Sequence, residues 1–98
     1  MSVRALEWAS SLRAGLSPLE KVVLEELADR VPRFSDMAWP TIAEISDSRE
    51  VSIRSVCRAL KLLRTRGIII DTGKRHFNHA IVYRLAFNET FSQTEKAA

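Results

Sequence analysis

Residues Trp39–Ile70 read WPTIAEISDSREVSIRSVCRALKLLRTRGIII. The Trp-Pro-Thr start predicts a short helix, and a polar turn follows it at residues 47–50. Ser52 is a suitable N-cap for a longer helix, which runs to about Arg66 and ends at Gly67. The isoleucines that come next form an apolar run suited to a strand. The segment therefore predicts two helices, joined by a turn, that lead into a sheet.

The longer helix has one apolar face and one basic face. On a helical wheel at about 100° per residue, the apolar residues fall on one face: Val56, Ala59, Leu60 and Leu63. The opposite face carries Arg54, Arg58, Lys61 and Thr65. No acidic residue occurs from Val51 to Ile70, so these cations lack the partners that exposed helices ordinarily use for i,i+4 pairing. Because unpaired like charges cost stability, the basic face predicts a polyanionic partner.

The charge of the chain is unevenly distributed. The net charge is +3 over 98 residues, but residues 49–79 carry eight Lys or Arg against Glu50 and Asp71. That part has a net charge of +6, and the remainder therefore has −3. Such polarity is typical of a protein with a positive face for a polyanion and an acidic back. A chance distribution of surface charge is the alternative that the sequence leaves open.

Length and composition predict one small domain with a single core. No apolar run approaches a membrane span, and charged residues interrupt residues 1–16, so neither a signal peptide nor an anchor is expected. Cys57 is the lone cysteine and cannot form an intramolecular disulfide. We expect it to pack at the edge of the apolar helix face. These features favour a cytoplasmic protein.

Two further helices are predicted on the amino-terminal side. Residues 3–14 carry apolar groups at helical spacing, which predicts a short amphipathic helix that packs on the domain or on a second copy of it. Ser17-Pro18 and Glu20 form a capping box for the next helix, whose apolar residues cover more than half its circumference. We expect that helix to be the central pillar of the fold, with Glu25 and Glu26 on its solvated face.

A loop and a β-hairpin complete the predicted domain. Residues 31–38 are expected to form a loop that is anchored in the core by Phe34 and Met37. Residues 80–85 have the composition of a second strand, which pairs with the isoleucine run. The polar residues 71–79 between them form the connection of the hairpin.

Four short motifs occur here in the order in which one known family has them. They are Leu16-Ser17-Pro18, Trp39-Pro40, Val51–Val56 and Leu63–Ile68. On these motifs, the chain resembles a winged helix-turn-helix domain, especially the group found in phage and plasmid replication initiators and related small regulators. It departs from the family pattern at residues 47–50, where a glycine often precedes the second helix of the pair.

The resemblance implies an α+β fold with a three-helix core, an added N-terminal helix and a C-terminal β-hairpin wing. Residues 1–15 would be an N-terminal helical extension, residues 16–88 the winged helix-turn-helix domain, and residues 89–98 a flexible tail. The further domains of a full replication initiator are not found, so we expect a stand-alone regulator.

The resemblance also implies how DNA would be contacted. Helix 53–66 would read the major groove, and the wing would touch the backbone or the minor groove. Arg54 and Arg58 would contact guanine, while Arg49, Ser52 and Lys61 would contact phosphates. The full set of expected DNA-binding residues is Arg49, Ser52, Ile53, Arg54, Ser55, Arg58, Lys61, Lys74, Arg75, His76 and Asn78.

These expectations point to a sequence-specific protein for double-stranded DNA. It would be a small regulator of transcription, replication or excision in a phage, plasmid or other mobile element. One module covers few base pairs, so a homodimer or cooperative binding on repeats is expected. The residues expected at the dimer contact are Leu6, Trp8, Ala9 and Leu12. The alternative is a winged-helix protein–protein adaptor, or an inhibitor of a nucleoprotein complex, whose basic face meets an acidic partner.

Other functional classes find little support in the sequence. His76 and His79 supply two ligands where zinc needs three or four, so no metal site is expected. Neither a phosphate-binding glycine loop nor a nucleophile–base arrangement occurs, so we expect no enzyme, cofactor or small-molecule ligand. Trp8 and Trp39 stand in apolar contexts, where packing is a better interpretation than base stacking.

Overall fold

The computed structural model describes residues 2–76 and 79–88, and within them the chain forms an α+β fold. Its helices are α1 (Val3–Ser11), α2 (Pro18–Asp29), α3 (Ile42–Arg49) and α4 (Ile53–Thr65). Its strands are β1 (Met37–Ala38), β2 (Ile69–Arg75) and β3 (Ile81–Leu85), and a 3₁₀ turn follows at Ala86–Asn88. Asn78 and the expected tail at residues 89–98 lie outside the described residues. None of the helices in the described ranges is both long and apolar enough to cross a membrane.

Helix α2 is the central pillar, as the sequence predicted. Its start is fixed by the capping box: the Ser17 hydroxyl accepts a hydrogen bond from the Glu20 N–H (3.3 Å), and the Glu20 carboxylate accepts one from the Ser17 N–H (2.9 Å). The helix packs against α1, α3 and α4. Leu24 and Leu27 are fully buried between these neighbours. Burial on several sides explains why so much of its circumference is apolar.

Helix α1 shares the core of the domain. Ala5 and Ala9 have no exposed surface, and both belong to the same apolar cluster as Leu24 of α2. The helix ends at Ser11, three residues before the predicted Ala14. Leu12 follows in an extended conformation, with a ψ of 128°. Lys21 donates to the carbonyl of Leu12 (2.9 Å) and Arg66 donates to that of Ala14, so side chains satisfy carbonyl groups at and beyond the end of the helix.

The strands form an antiparallel sheet in the order β1-β3-β2. Strand β1 lies within residues 31–38, which were predicted to be a loop, and its Met37 and Ala38 pair with Arg84 and Tyr83 of β3. Two residues are too few to show the alternating pattern of a strand. Backbone pairing with an element that is distant in sequence makes this strand.

The core anchors proposed for residues 31–38 are partly wrong. Phe34 is 95% exposed, whereas Val31 is fully buried and fills the core at this point. The backbone of Phe34 has a φ of +66°, in the left-handed region, and its ring lies outside the core. There the guanidinium of Arg33 lies over it, 5.3 Å from the ring centroid. Met37, the other predicted anchor, is half-buried in β1.

The hairpin has a longer first strand than the sequence suggested. Strand β2 continues to Arg75, so residues 71–75 belong to the strand and not to the connection. Their side chains are mostly exposed, and the register shifts between Asp71 and Arg75, where Gly73 has a φ of +81°. Polar, bulged and solvent-facing residues give no apolar alternation, which is why this half of the strand was not predicted.

Candidate nucleic-acid interface

Helix α4 separates its two faces as the helical wheel predicted. The four apolar positions are at most 2% exposed, and they are Val56, Ala59, Leu60 and Leu63. The four positions opposite them are exposed, and they are Arg54, Arg58, Lys61 and Thr65. Burial of one face on α2 and the sheet therefore presents the other face to solvent as a unit. We call the exposed side chains of Arg54, Arg58 and Lys61 the basic face.

Both ends of α4 are fixed by local chemistry. The Ser52 hydroxyl accepts a hydrogen bond from the Ser55 N–H (3.1 Å), which confirms the predicted N-cap. At the other end Gly67 has a φ of +75°, its N–H donates to the carbonyl of Arg64, and the Ile68 N–H donates to that of Leu63. This is a Schellman ending, and it redirects the chain from α4 into β2.

The basic face has no acidic partner in the described part of the chain. No carboxylate among residues 2–76 and 79–88 lies within 4.0 Å of the charged groups of Arg54, Arg58 or Lys61. Two other arginines from the same stretch of sequence are held by the protein. Arg64 donates to the Tyr83 hydroxyl (3.2 Å), and Arg66 donates to the Ala14 carbonyl. The cations of this stretch of sequence therefore fall into two groups. Arg64 and Arg66 bond to other parts of the domain, whereas the cations of the basic face are exposed to a possible partner molecule.

A buried carboxylate connects α2 to the end of α3. Glu26 is 2% exposed, so its predicted place on a solvated face is wrong. Its Oε2 accepts a hydrogen bond from Arg30 (2.6 Å), and its Oε1 accepts hydrogen bonds from Arg49 (2.8 Å) and Ser48 (3.1 Å). Arg49, expected at a DNA phosphate, therefore forms an ion pair within the domain. The Arg30 contact follows i,i+4 spacing, but nothing in the sequence pattern indicated the pairing with Arg49.

The environment of Glu26 favours its charged form. Burial raises the pKa of the Glu26 carboxyl, but hydrogen bonds from Arg30, Arg49 and Ser48 lower it by more. The net result is a pKa below the ordinary value. A charged Glu26 thus fixes the orientation of α3 relative to α2, and α3 leads directly into the turn before α4.

The turn between α3 and α4 forms without a glycine. Glu50 takes up the left-handed conformation, with a φ of +55°, at the end of α3. The Val51 N–H donates to the Ser46 carbonyl (3.1 Å), and the Ser46 hydroxyl donates to the Val51 carbonyl (2.6 Å). This pair of hydrogen bonds holds the turn in the place where the family pattern often has glycine.

The hairpin packs against α4 and carries further exposed cations. Arg75 of β2 and Leu60 of α4 line one open cleft of about 410 Å³. Lys74 and Arg75 are exposed, and Arg75 lies 3.7 Å from the carboxylate of Asp71. A long contact between half-exposed groups contributes little and leaves Arg75 able to move to another anion.

His76 lies at the base of the hairpin connection, and its ring is stacked on Trp39. The ring centroids are 5.0 Å apart and the planes are inclined by 15°. Trp39 precedes α3, so the stack connects the hairpin to the helix pair. It gives Trp39 the packing role predicted for it. Of the other hairpin residues expected to touch DNA, Asn78 falls in the part of the chain that the structure does not describe.

The residues expected to contact a second copy are used within the chain. Ala9 is fully buried and has no surface to offer. Leu6, Trp8 and Leu12 are half-buried against the core, and the Trp8 ring lies 5.9 Å from that of Phe87. The apolar spacing of this helix is therefore accounted for by packing on α2 and the 3₁₀ turn.

Cys57 is exposed, so the expectation that it packs is wrong. It lies one helical turn after Ile53, which is 56% exposed. Both side chains stand on the solvent side of α4, next to the basic face. The apolar face of α4 is therefore narrower than the sequence suggested: Val56 and Leu60 are buried, and Cys57 is not.

No family model matches the chain, and no curated protein or solved structure matches it either.

Proposed function

We propose that the protein binds double-stranded DNA sequence-specifically, as a winged helix-turn-helix whose α4 enters the major groove. The order α2, β1, α3, α4, β2, β3 supports this, as does an antiparallel hairpin that directly follows α4. In such a domain α3 and α4 are the helix pair and the β2–β3 hairpin is the wing.

One observation carries the proposal. The basic face of α4 is exposed, it lacks acidic partners in the described ranges, and it stands on a helix whose other face is fully packed. Elsewhere Arg30, Arg49 and Arg75 lie within ion-pair distance of carboxylates, so the fold does contain acidic partners for its arginines. The three cations of the basic face lie apart from these carboxylates. They are suited to bind the phosphates and base edges of DNA.

The dimensions of α4 fit a major groove. Its 13 residues span about 20 Å, and an α-helix fits a groove of about 12 Å. Arg54 and Arg58 are one turn apart, about 6 Å along the axis, so each can reach a different base pair. A guanidinium presents two parallel donors to the O6 and N7 of guanine, and each such contact gives about 1–3 kcal/mol of discrimination. Lys61, farther along, would bind a phosphate.

The structure reduces the number of cations available to DNA. Arg49, Arg64 and Arg66 have partners within the domain, which leaves the basic face together with Lys74 and Arg75 of the hairpin. Three of these cations, Lys61, Lys74 and Arg75, would contact phosphates, which gives a slope near −2.7 for each copy in a plot of log affinity against log salt. This modest footprint supports binding of more than one copy at each site.

The biological role that we propose is that of a small regulator of transcription, replication or excision. The resemblance to domains of phage and plasmid initiators and small regulators supports this role and a mobile genetic element as its setting. Such a protein would work in the cytoplasm, where its DNA is. A contact with a second copy would use surfaces other than the buried Ala9.

The experiment selects duplexes from a random library at moderate salt and measures their affinity by gel retardation. The variant Arg54→Ala/Arg58→Ala should lose specific retardation, because both guanine contacts are removed. Its matched control is Arg13→Ala/Arg33→Ala, which removes the same charge from exposed residues outside α4 and should bind nearly as the wild type does. Both variants should melt close to the wild type, since all four side chains are exposed.

Equal retardation by the two variants would refute the assignment of the interface to α4. Failure to select any duplex above a random pool would refute DNA recognition altogether. In that case the basic face would be left to an acidic protein partner, as in an adaptor.

A further inference from the structure

The solvent side of α4 also carries an apolar surface. The described part of the chain exposes four large hydrophobic side chains: Val3, Phe34, Ile42 and Ile53. Ile53 is the one that α4 carries, and it is 56% exposed in the first turn of the helix. Cys57, one turn later, is exposed as well and behaves as a small, weakly polar side chain. The core accounts for neither position.

These side chains form a row beside the basic face. Residues four apart lie one above the other on a helix, so Ile53 stands in line with Cys57. Arg54 stands in line with Arg58, and the two rows are about 100° apart around the axis. Each row extends about 6 Å, close to the rise of two base pairs at about 3.4 Å each. A row of cationic side chains and a row of apolar side chains thus run side by side along the helix.

The position of Ile53 is fixed before any ligand binds. Ser52 immediately before it caps the helix through the Ser55 N–H, and the two hydroxyls also hydrogen-bond to each other (2.9 Å). The backbone that carries Ile53 is therefore held in its helical conformation. An aliphatic side chain on a rigid backbone makes a selective contact, because little conformational entropy is lost when it is covered.

We infer that Ile53 contacts the C5-methyl group of a thymine, next to the guanine that Arg54 reads. The thymine methyl is the apolar group that the major groove displays, and aliphatic side chains are its partners. The inference rests on the proposed function and adds to it a chemical class of target: a duplex with thymine beside guanine. Cys57 extends the same apolar row toward the neighbouring base pair.

Replacement of thymine by deoxyuridine tests this directly. The substitution deletes one methyl group and leaves every Watson–Crick group of the base pair in place. Each thymine of the selected duplex is replaced in turn, and affinity for the full-length protein is measured by fluorescence anisotropy. At one or two positions the affinity should fall about fourfold, which corresponds to the burial of one methyl group at about 0.8 kcal/mol.

Two variants assign the effect to its side chain. Ile53→Ala should bind the thymine and deoxyuridine duplexes equally, because the partner of the methyl group is gone. Val3→Ala removes an equally exposed aliphatic side chain, on α1, and should keep the fourfold difference. Neither substitution touches the core, so both proteins should melt near the wild type.

The possible failures are distinct. If the protein selects a duplex but no deoxyuridine position weakens binding, the thymine contact is wrong and DNA binding stands. The same conclusion follows if Ile53→Ala keeps the full difference. If no duplex is selected, the proposed function fails and the thymine contact fails with it.

Discussion

Replacement of Glu26 by glutamine tests how the helix pair is held in its orientation. The substitution keeps the shape of the side chain and removes the charge that Arg30 and Arg49 share. Charge-assisted hydrogen bonds contribute about 1.5–3 kcal/mol each. The two arginine side chains are 35% and 32% exposed, so water screens both pairs and reduces their contribution. Glutamine also retains one oxygen that can accept a hydrogen bond.

We therefore expect a loss of about 2 kcal/mol in the free energy of unfolding. For a domain of this size, that loss lowers Tm by roughly 8–16 °C. The measurement is thermal and urea unfolding followed by circular dichroism at pH 7. The matched control is Glu25→Gln, which makes the same change of charge one residue away at a half-exposed side chain. It should change Tm by no more than a few degrees.

The pH dependence supplies a second readout for Glu26. Its pKa in the folded protein lies below the ordinary value of 4.5. The stabilisation that the charged form provides is therefore complete above the pKa of the unfolded chain and is lost as the pH falls through the folded pKa. The difference in stability between wild type and Glu26→Gln should be constant at neutral pH and shrink below about pH 4.5. A difference no larger than that of Glu25→Gln, or one that persists unchanged to low pH, would show that the charge of Glu26 does not stabilise the helix pair.

Two further substitutions test the packing of the helices that carry and support the interface. Leu63→Ala removes a fully buried side chain of α4 and should cost about 2–5 kcal/mol in urea unfolding, whereas half-buried Leu62→Ala should cost well under half as much. A similar cost at both positions would show that the two faces of α4 are assigned wrongly. Ala9→Asp places a charge in the core between α1 and α2 and should unfold the domain or lower Tm by more than 10 °C, while exposed Ser10→Asp should be tolerated. Equal melting of these last two variants would place α1 outside the core.

Much of the helical structure could be predicted because its determinants are adjacent in sequence. The caps at Ser17 and Ser52 each act on a backbone N–H three residues away, and the two faces of α4 follow from helical spacing alone. The exposed basic face was predictable for the same reason. Its arginines are exposed simply because the opposite side of the helix is apolar and packs in the core.

Features that depend on distant residues could not be predicted. Strand β1 exists because Met37 and Ala38 meet β3 more than 40 residues later, and no pattern in two residues shows this. The burial of Glu26 depends on Arg49, which lies 23 residues away. A glutamate on a helix is expected to be exposed to solvent unless its partners in the tertiary structure are known.

Charge counting alone overestimated the number of cations without a partner in the domain, for a related reason. Arg64 and Arg66 look like the other cations of their helix, but Tyr83 and the Ala14 carbonyl hold them in the protein. The spacing of residues in the sequence predicts on which face of a helix a side chain lies. It does not predict which groups that side chain contacts. Conversely, the structure shows that Ile53 and Cys57 are exposed on α4. The pattern of charges gives no indication of this apolar surface.

The salt dependence of binding measures whether the protein neutralises DNA phosphates and whether the basic face of α4 takes part. Affinity for the selected duplex is determined at several salt concentrations for the wild type and for Lys61→Ala. We predict a log–log slope near −2.7 for each copy bound, and a slope smaller in magnitude by about one for Lys61→Ala, because one phosphate contact is lost. A wild-type slope near zero would show that the protein does not neutralise DNA, and an unchanged slope for Lys61→Ala would show that the basic face of α4 does not contact phosphates.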